Sequence, residues 1–385
     1  MKPALPRRLL LTAFLLALAA EGWSEPVRLA GGPQGGMYWK LAKDLEDYDP
    51  RHALQVMETA GSVENLASLE SGRVRFAFAQ QDVVSDYFRN HQHTQVRVVG
   101  RLFFDYLHIF LRDPVRVKTV TELGRLRIWP GEAGSGTRLT ASRFLDRLGV
   151  PISSLGERVV TLSDLDRTGA PVGAGPLDRL PRWFQEDHLD VAMLVTTPGS
   201  STVCKLMESE RGHLLPLDPK TLRELTEEEE TTFRRQTAIG RIPAGTYRNQ
   251  TSPVATIAVP VLLLTRSEER PELANALLAA ARDRWRALAL ASSDTKGGCV
   301  IPDSSPQAAP LRESGLPMLE GLPDSEPVWP KFLPAVRIVL ALLVVSALGL
   351  WGWRRGWHHQ IHGIWRQDRL PFILVLLLAT AILLV

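Results

Sequence analysis

Five short segments gather glycine, serine, threonine and glutamine where an apolar run gives way to an amphipathic one. GGPQGGMYWKLA (31–42) places glycines immediately before a helix pattern, and AGSGTRLTA (133–141) places Gly134, Ser135, Gly136 and Thr137 before another. GSVENL (61–66) supplies Ser62 as an expected N-cap with Glu64 in the first turn. AQQDVV (79–84) carries Gln80, Gln81 and Asp82 at the end of an apolar run, and VTTPGS (195–200) follows VAMLV in the same way. The chemistry open to such segments is binding. A helix start presents N–H groups without partners and the positive end of the helix dipole, which together receive an anion. Taken singly, each junction is ordinary capping and turn chemistry. In an open α/β sheet, however, the ends of the strands face one crevice, and all five can converge there.

Reactive groups are absent by comparison. There is no GxSxG, HExxH or GxxxxGK[ST], and no nucleophile–base pair can be assigned, so no catalytic residue is expected. His91 and His93 lie in a polar loop, and His358, His359 and His362 in a basic one. Both sets read as solvated, and neither a metal nor a cofactor is expected. Glu227 to Glu230 reads as a solvated helix face, and Thr119 with Glu122 as a structural capping box. Cys204 and Cys299 form no CxxC; they read as two unpaired thiols, with one disulfide as the alternative in an oxidising compartment.

The elements needed to position the junctions are legible as a pattern. VRLA (27–30), RFAFA (75–79), VRVVGRLF (96–103), LHIFLR (107–112), RLRIW (125–129), VAMLV (191–195) and TIAVPVLLLT (256–265, broken by Pro260) read as strands. Helices are expected over 37–47, 63–71, 137–148 and 273–290. Their alternation predicts an α/β fold with parallel sheets covered on both faces. A formal charge of +3 over 385 residues, with no Lys/Arg cluster, argues against nucleic acid as a partner.

Both ends of the chain carry targeting signals. Residues 1–20 read as a signal peptide: Lys2, Arg7 and Arg8, then an apolar run from Leu9 to Leu18, then Ala17-Leu18-Ala19. From Ser292 to about 331 proline recurs, which reads as an extended linker. Phe332 to Trp353 is long and apolar enough to span a bilayer, with Trp351, Trp353 and Trp357 at its interface. Arg354, Arg355, Arg366 and Arg369 mark 354–369 as cytoplasmic, which puts the preceding domain outside. Residues 370–385 form a second apolar segment, read as a short or incomplete span.

With these junctions, and with HLLPL (213–217), IPAGTYRNQ (242–250) and VATIAVPVLLL (254–264), the chain resembles the TAXI family over about residues 27–285. TAXI proteins are the solute receptors of one branch of the TRAP (tripartite ATP-independent periplasmic) transporters. The resemblance implies a two-lobed, type II periplasmic-binding-protein clamshell. Lobe one would be 26–111 with 258–290, and lobe two 112–257, joined through LHIFLR and TIAVPVLLL. It implies a small organic acid or a glutamate-like amino acid as ligand, and TRAP permease subunits or another membrane module as partner. Carried over by position, the ligand contacts fall on Gly36, Met37 and Tyr38, on Ser62, on Gln80, Gln81 and Asp82, on Ser135, Gly136 and Thr137, and on Thr196 and Thr197. The chain departs from the family where Trp39 follows Tyr38, at Gln81, at Glu132-Ala133 and at TTPGSS, all at the presumed cleft. A receptor carrying its own membrane helices is expected either to serve transport or to act as a tethered sensor.

Overall fold

The computed structural model describes residues 26–49, 53–161, 176–227, 237–293, 299–302 and 316–320. The chain divides into two compact units, one of Met1–Ala4 with Pro323–Val385 and one of Leu5–Leu322; every described residue belongs to the second. The expected signal peptide, membrane spans and cytoplasmic loop lie outside the described residues. Among the described residues, no helix is long and apolar enough to cross a membrane.

One sheet organises the domain. Its strands are β1 (Val27–Ala30), β2 (Leu54–Met57), β3 (Phe76–Gln80), β4 (Val96–Arg112), β5 (Ile128–Trp129), β6 (Val191–Thr196), β7 (Gly212–Leu214), β8 (Ala238–Ile242) and β9 (Val254–Arg266). The order is β2-β1-β3-β9-β4-β6-β5, with β7 added to β4 and β8 to β9. The expected parallel sheet is in fact mixed. β1 runs parallel to β2 and β3, and β5 to β6, but β4 and β9 are antiparallel to their neighbours. The two runs read as separate strands, 96–103 and 107–112, are one 17-residue strand. Phe104, Asp105 and Tyr106 continue it as buried positions. Nor does Pro260 break β9: it sits opposite Phe104, beside a register shift between Arg101 and Phe104, where a missing N–H interrupts no regular ladder.

The helices are α1 (Met37–Asp47), α2 (Ser62–Glu70), α3 (Gln81–Asn90), α4 (Gly136–Arg147), α5 (Leu180–Gln185), α6 (Ser201–Glu208), α7 (Pro219–Glu227) and α8 (Pro271–Ser293). They cover the sheet on both faces. Around β1, β3 and the first part of β4, Leu41, Leu45, Phe76, Leu273 and Leu277 fill one core, and Leu66, Leu69, Val83, Val98 and Leu264 fill another. Around the rest of β4 and β6, Phe110, Trp183, Phe184 and Leu206 form a third, and Ile109, Phe144, Met193 and Leu225 a fourth. Long β4 and β9 run through both halves of the sheet. Apolar runs buried on both faces are what such strands require.

Cys204 and Cys299 are joined as a disulfide with their Cα atoms 6.0 Å apart, so the expectation of unpaired thiols is overturned. Sequence spacing hid this because 95 residues separate them. The described parts of the proline-rich stretch are packed, not extended. The Val300 N–H donates to Thr246 O, and Ile301 is buried. Met318 bridges Val98 in parallel, and Leu319 enters the first core. Thr119 does not cap its turn with its side chain, although Glu122 does reach back, to the Lys118 N–H.

Candidate functional site

A cavity of about 370 Å³ lies where the two halves of the sheet face each other. Nine of the twelve residues expected in the site line it. Gly36, Met37 and Tyr38 come from the start of α1, Ser62 from α2 and Gln80 from the end of β3. Ser135, Gly136 and Thr137 come from the start of α4, and Thr196 from the end of β6. The helices point their first turns inward because each begins directly after a strand or a glycine loop. Gly36, Gly61 and Gln80 precede α1, α2 and α3 without a side-chain cap. The first-turn amides there lack intrahelical acceptors, which suits them to an anionic group.

Ser62 is not an N-cap, as expected, but the first residue of α2; its Oγ accepts from the Gln80 N–H at 3.2 Å. Gly61 is the cap, in a left-handed conformation (φ 130°) that a side chain rarely takes. Ser135, in contrast, caps α4 through its Oγ, which accepts from the Arg138 N–H at 3.1 Å. Thr137 Oγ1 accepts from the Val195 N–H at 3.1 Å and so ties α4 to β6.

The other three expected residues do not line the cavity. Gln81 is buried in the first turn of α3. Asp82 is fully buried and accepts from Thr140 Oγ1 at 2.6 Å, joining α3 to α4. Burial raises its carboxyl above the usual range. Thr197 donates from Oγ1 to Asp105 Oδ1 at 2.9 Å, so it orients a cavity residue from behind. Sequence position along a helix start does not tell which side chains the sheet turns inward and which it turns into the core.

Two functional candidates, Asp105 and Trp129, escaped the sequence, and a third, Glu132, stood out there only as a departure from the family pattern. Asp105, 2% exposed, accepts from Tyr38 Oη at 3.0 Å as well as from Thr197. Burial pushes its carboxyl up to about 7, against the lowering effect of its hydrogen-bond donors. Trp129 donates from Nε1 to Glu132 Oε1 at 2.6 Å, and both line the cavity. No Lys, Arg or His stands among the described residues of the wall.

The halves meet at this site through close contacts. A Cβ on Gly136 would lie 2.1 Å from Gln80 Oε1 and 2.8 Å from Ser62 Oγ. The Arg143 guanidinium donates to Asp82 O and pairs with Asp86.

Residues 29–297 match the NMT1-like family, and the chain belongs to that family. No curated protein matches it. Similar solved structures include the periplasmic aliphatic sulphonate binding protein SsuA from Escherichia coli, 15% identical, with TM-score 0.42 over 71% of this chain and 76% of that one. They also include the lipoprotein Tp32 from Treponema pallidum, 13% identical, with TM-score 0.38 over 72% and 98%. OxyR C206 mutant of Corynebacterium glutamicum is 11% identical, with TM-score 0.40 over 75% and 74%. Each likeness is slight, and the site is read from its own geometry.

Proposed function

We propose that the protein is an extracytoplasmic solute receptor of the TAXI type that captures a small organic acid or amino acid by hinge closure. The observation that carries this is the cavity itself: the starts of α1, α2 and α4 and the ends of β3, β5 and β6, drawn from both halves of the sheet, surround a space sized for a small metabolite. Lobe one (26–111 with 258–290) and lobe two (112–257) would move about β4 and β9, which cross between them. A ligand touching both lobes favours the closed form by the extra contacts made there. Gly36, Met37, Tyr38, Ser62, Gln80, Ser135, Gly136, Thr137 and Thr196 are the proposed contacts. Gln81, Asp82 and Thr197 act behind them.

In this account the domain stands outside the cytoplasmic membrane, tethered through 332–353, and delivers its ligand to TRAP permease subunits. A tethered sensor is the second reading. What favours it is that residues 299–302 and 316–320, which lead toward the tether, pack on different halves of the sheet. A melting-temperature screen of the full chain against amino acids and organic acids tests the proposal. A ligand at a hundred times its Kd adds about 2.7 kcal/mol to the folded state. At least one small acid is expected to raise Tm; no shift from any of them would end the receptor account.

A further inference from the structure

We propose that the chain after α8 is a clasp across the two lobes, which favours their closed form and ties it to the residues beyond 320. This rests on the two-lobed receptor proposed above and adds the element that follows its closure. Two short segments make the clasp, 299–302 and 316–319, joined by residues 303–315.

The first segment is fixed to lobe two. Cys299 is bonded to Cys204 of α6. The Val300 N–H donates to Thr246 O at 3.0 Å, and Ile301 is buried. The backbone of Val300 lies against Gly199, where a Cβ would come 2.4 Å from Val300 O and 2.8 Å from Ile301 N. Gly199 has φ 81°, so the turn and the contact both call for glycine. A buried relay holds this seat to β4. The Gly199 N–H donates to Tyr247 Oη at 2.9 Å, that hydroxyl donates to His108 Nε2 at 2.7 Å, and His108 Nδ1 donates to Tyr106 O. The other side of the same turn faces the solute site. Thr196 lines the cavity, Thr197 holds Asp105, and the Ser200 N–H closes the turn on Thr197 O at 3.1 Å. Residues 196–200 thus stand between the cavity and the segment that leaves the domain.

The second segment is fixed to lobe one. β4 is paired with β9 along one edge, but on its other edge β6 reaches only from Tyr106 to Leu111. The open part of that edge is taken at Val98. The Val98 N–H donates to Pro317 O, and Val98 O accepts from the Leu319 N–H, each at 2.9 Å. Leu319 is buried in the core with Phe103 and Leu277, while Leu316 and Met318 pack on the core of the opposite face. Backbone pairing with side chains seated alternately is how an extended segment is added to a sheet edge. An element held by both lobes must yield when they separate. Here both ends are engaged while the lobes touch, where Thr140 Oγ1 of α4 donates to Gln80 Oε1 at 3.3 Å and Asp82 Oδ2 at 2.6 Å. The contacts of the clasp therefore add to the closed form. The coupling is reciprocal: closure secures the clasp, and the clasp secures closure by the same factor.

The test uses the full chain with spin labels on non-canonical side chains at Val63 and Asp146, and it needs no solute. Cys204→Ser with Cys299→Ser frees the lobe-two end. Leu319→Pro lacks the N–H that Val98 O accepts and frees the lobe-one end. Each is expected to move the distribution to longer distances. The combination should move it no further than the larger single effect, because a clasp is undone by the loss of either end. A solute that raises the Tm of the parent should bind about tenfold more weakly to each released form. Distances that stay as in the parent, or that lengthen additively in the combination, overturn the clasp. If a variant fails to fold, reduction of the disulfide in the folded parent makes the same comparison. Solute binding with unchanged distances ends the clasp and leaves the receptor function standing. Lengthened distances with no binder among amino acids and organic acids keep the clasp and end the receptor function.

Discussion

Asp105 sets the first expectation at the level of a single residue. Its folded carboxyl titrates near 7, above the ordinary value near 4, so between those pH values the folded protein binds a proton that the unfolded chain has released. Stability on this account falls as pH rises from about 4 to about 7, by an amount on the order of 4 kcal/mol. Asp105→Asn removes the charge, so denaturant titrations should show its stability relative to the parent rising over that window and levelling above it. A parallel pH dependence in the two proteins would contradict this. Asp190 works in the opposite sense. It accepts from Arg127 and Arg112, whose guanidinium groups hold its carboxyl well below the usual range. A depressed folded pKa gives stability that is present above about pH 4 and lost as pH falls below it. Asp190→Asn should cost about 2 kcal/mol at pH 7, discounted because Arg127 is partly exposed, with the gap closing in acid. At this scale the sequence said little. Asp105 stands in FFDYL, which reads as strand, and nothing local marks an acid held by partners 67 and 92 residues away.

Elements were more legible, because strand-to-helix junctions carry chemical signatures. The glycines and serines before α1, α2 and α4 pointed to the helix starts that now wall the cavity. The sequence puts the cap one position late, at Ser62, because Gly61 also satisfies an N-cap and tolerates the turn. In sequence β4 reads as two strands because Asp105 interrupts its apolar run, and only burial on both sides shows that it continues. The meeting of α4 with β3 and α2 leads to a further prediction. Gly136→Ala places a methyl group against Gln80 and Ser62, whose side chains are buried and engaged. It should destabilise the closed arrangement by about 1–3 kcal/mol and weaken solute binding accordingly. Unchanged Tm and unchanged affinity would show that the halves do not meet as described.

For the whole molecule, α/β character and the meeting of most junctions at one cavity are readable from pattern. The disulfide and the packed tail are not, since both depend on residues far apart in the chain. Cross-linking residues 95 apart restricts the unfolded chain by about 4–5 kcal/mol. Reduction, or Cys299→Ser, should therefore lower Tm by roughly 10 °C; no change would mean that the thiols are unpaired in solution. Closure of the halves on a solute can be measured directly. Spin labels carried on non-canonical side chains at Val63 of α2 and Asp146 of α4, both exposed, report the separation of the halves. Saturation with a solute that raises Tm should collapse a broad distance distribution to one short distance. The same distribution with and without that solute would contradict capture by closure.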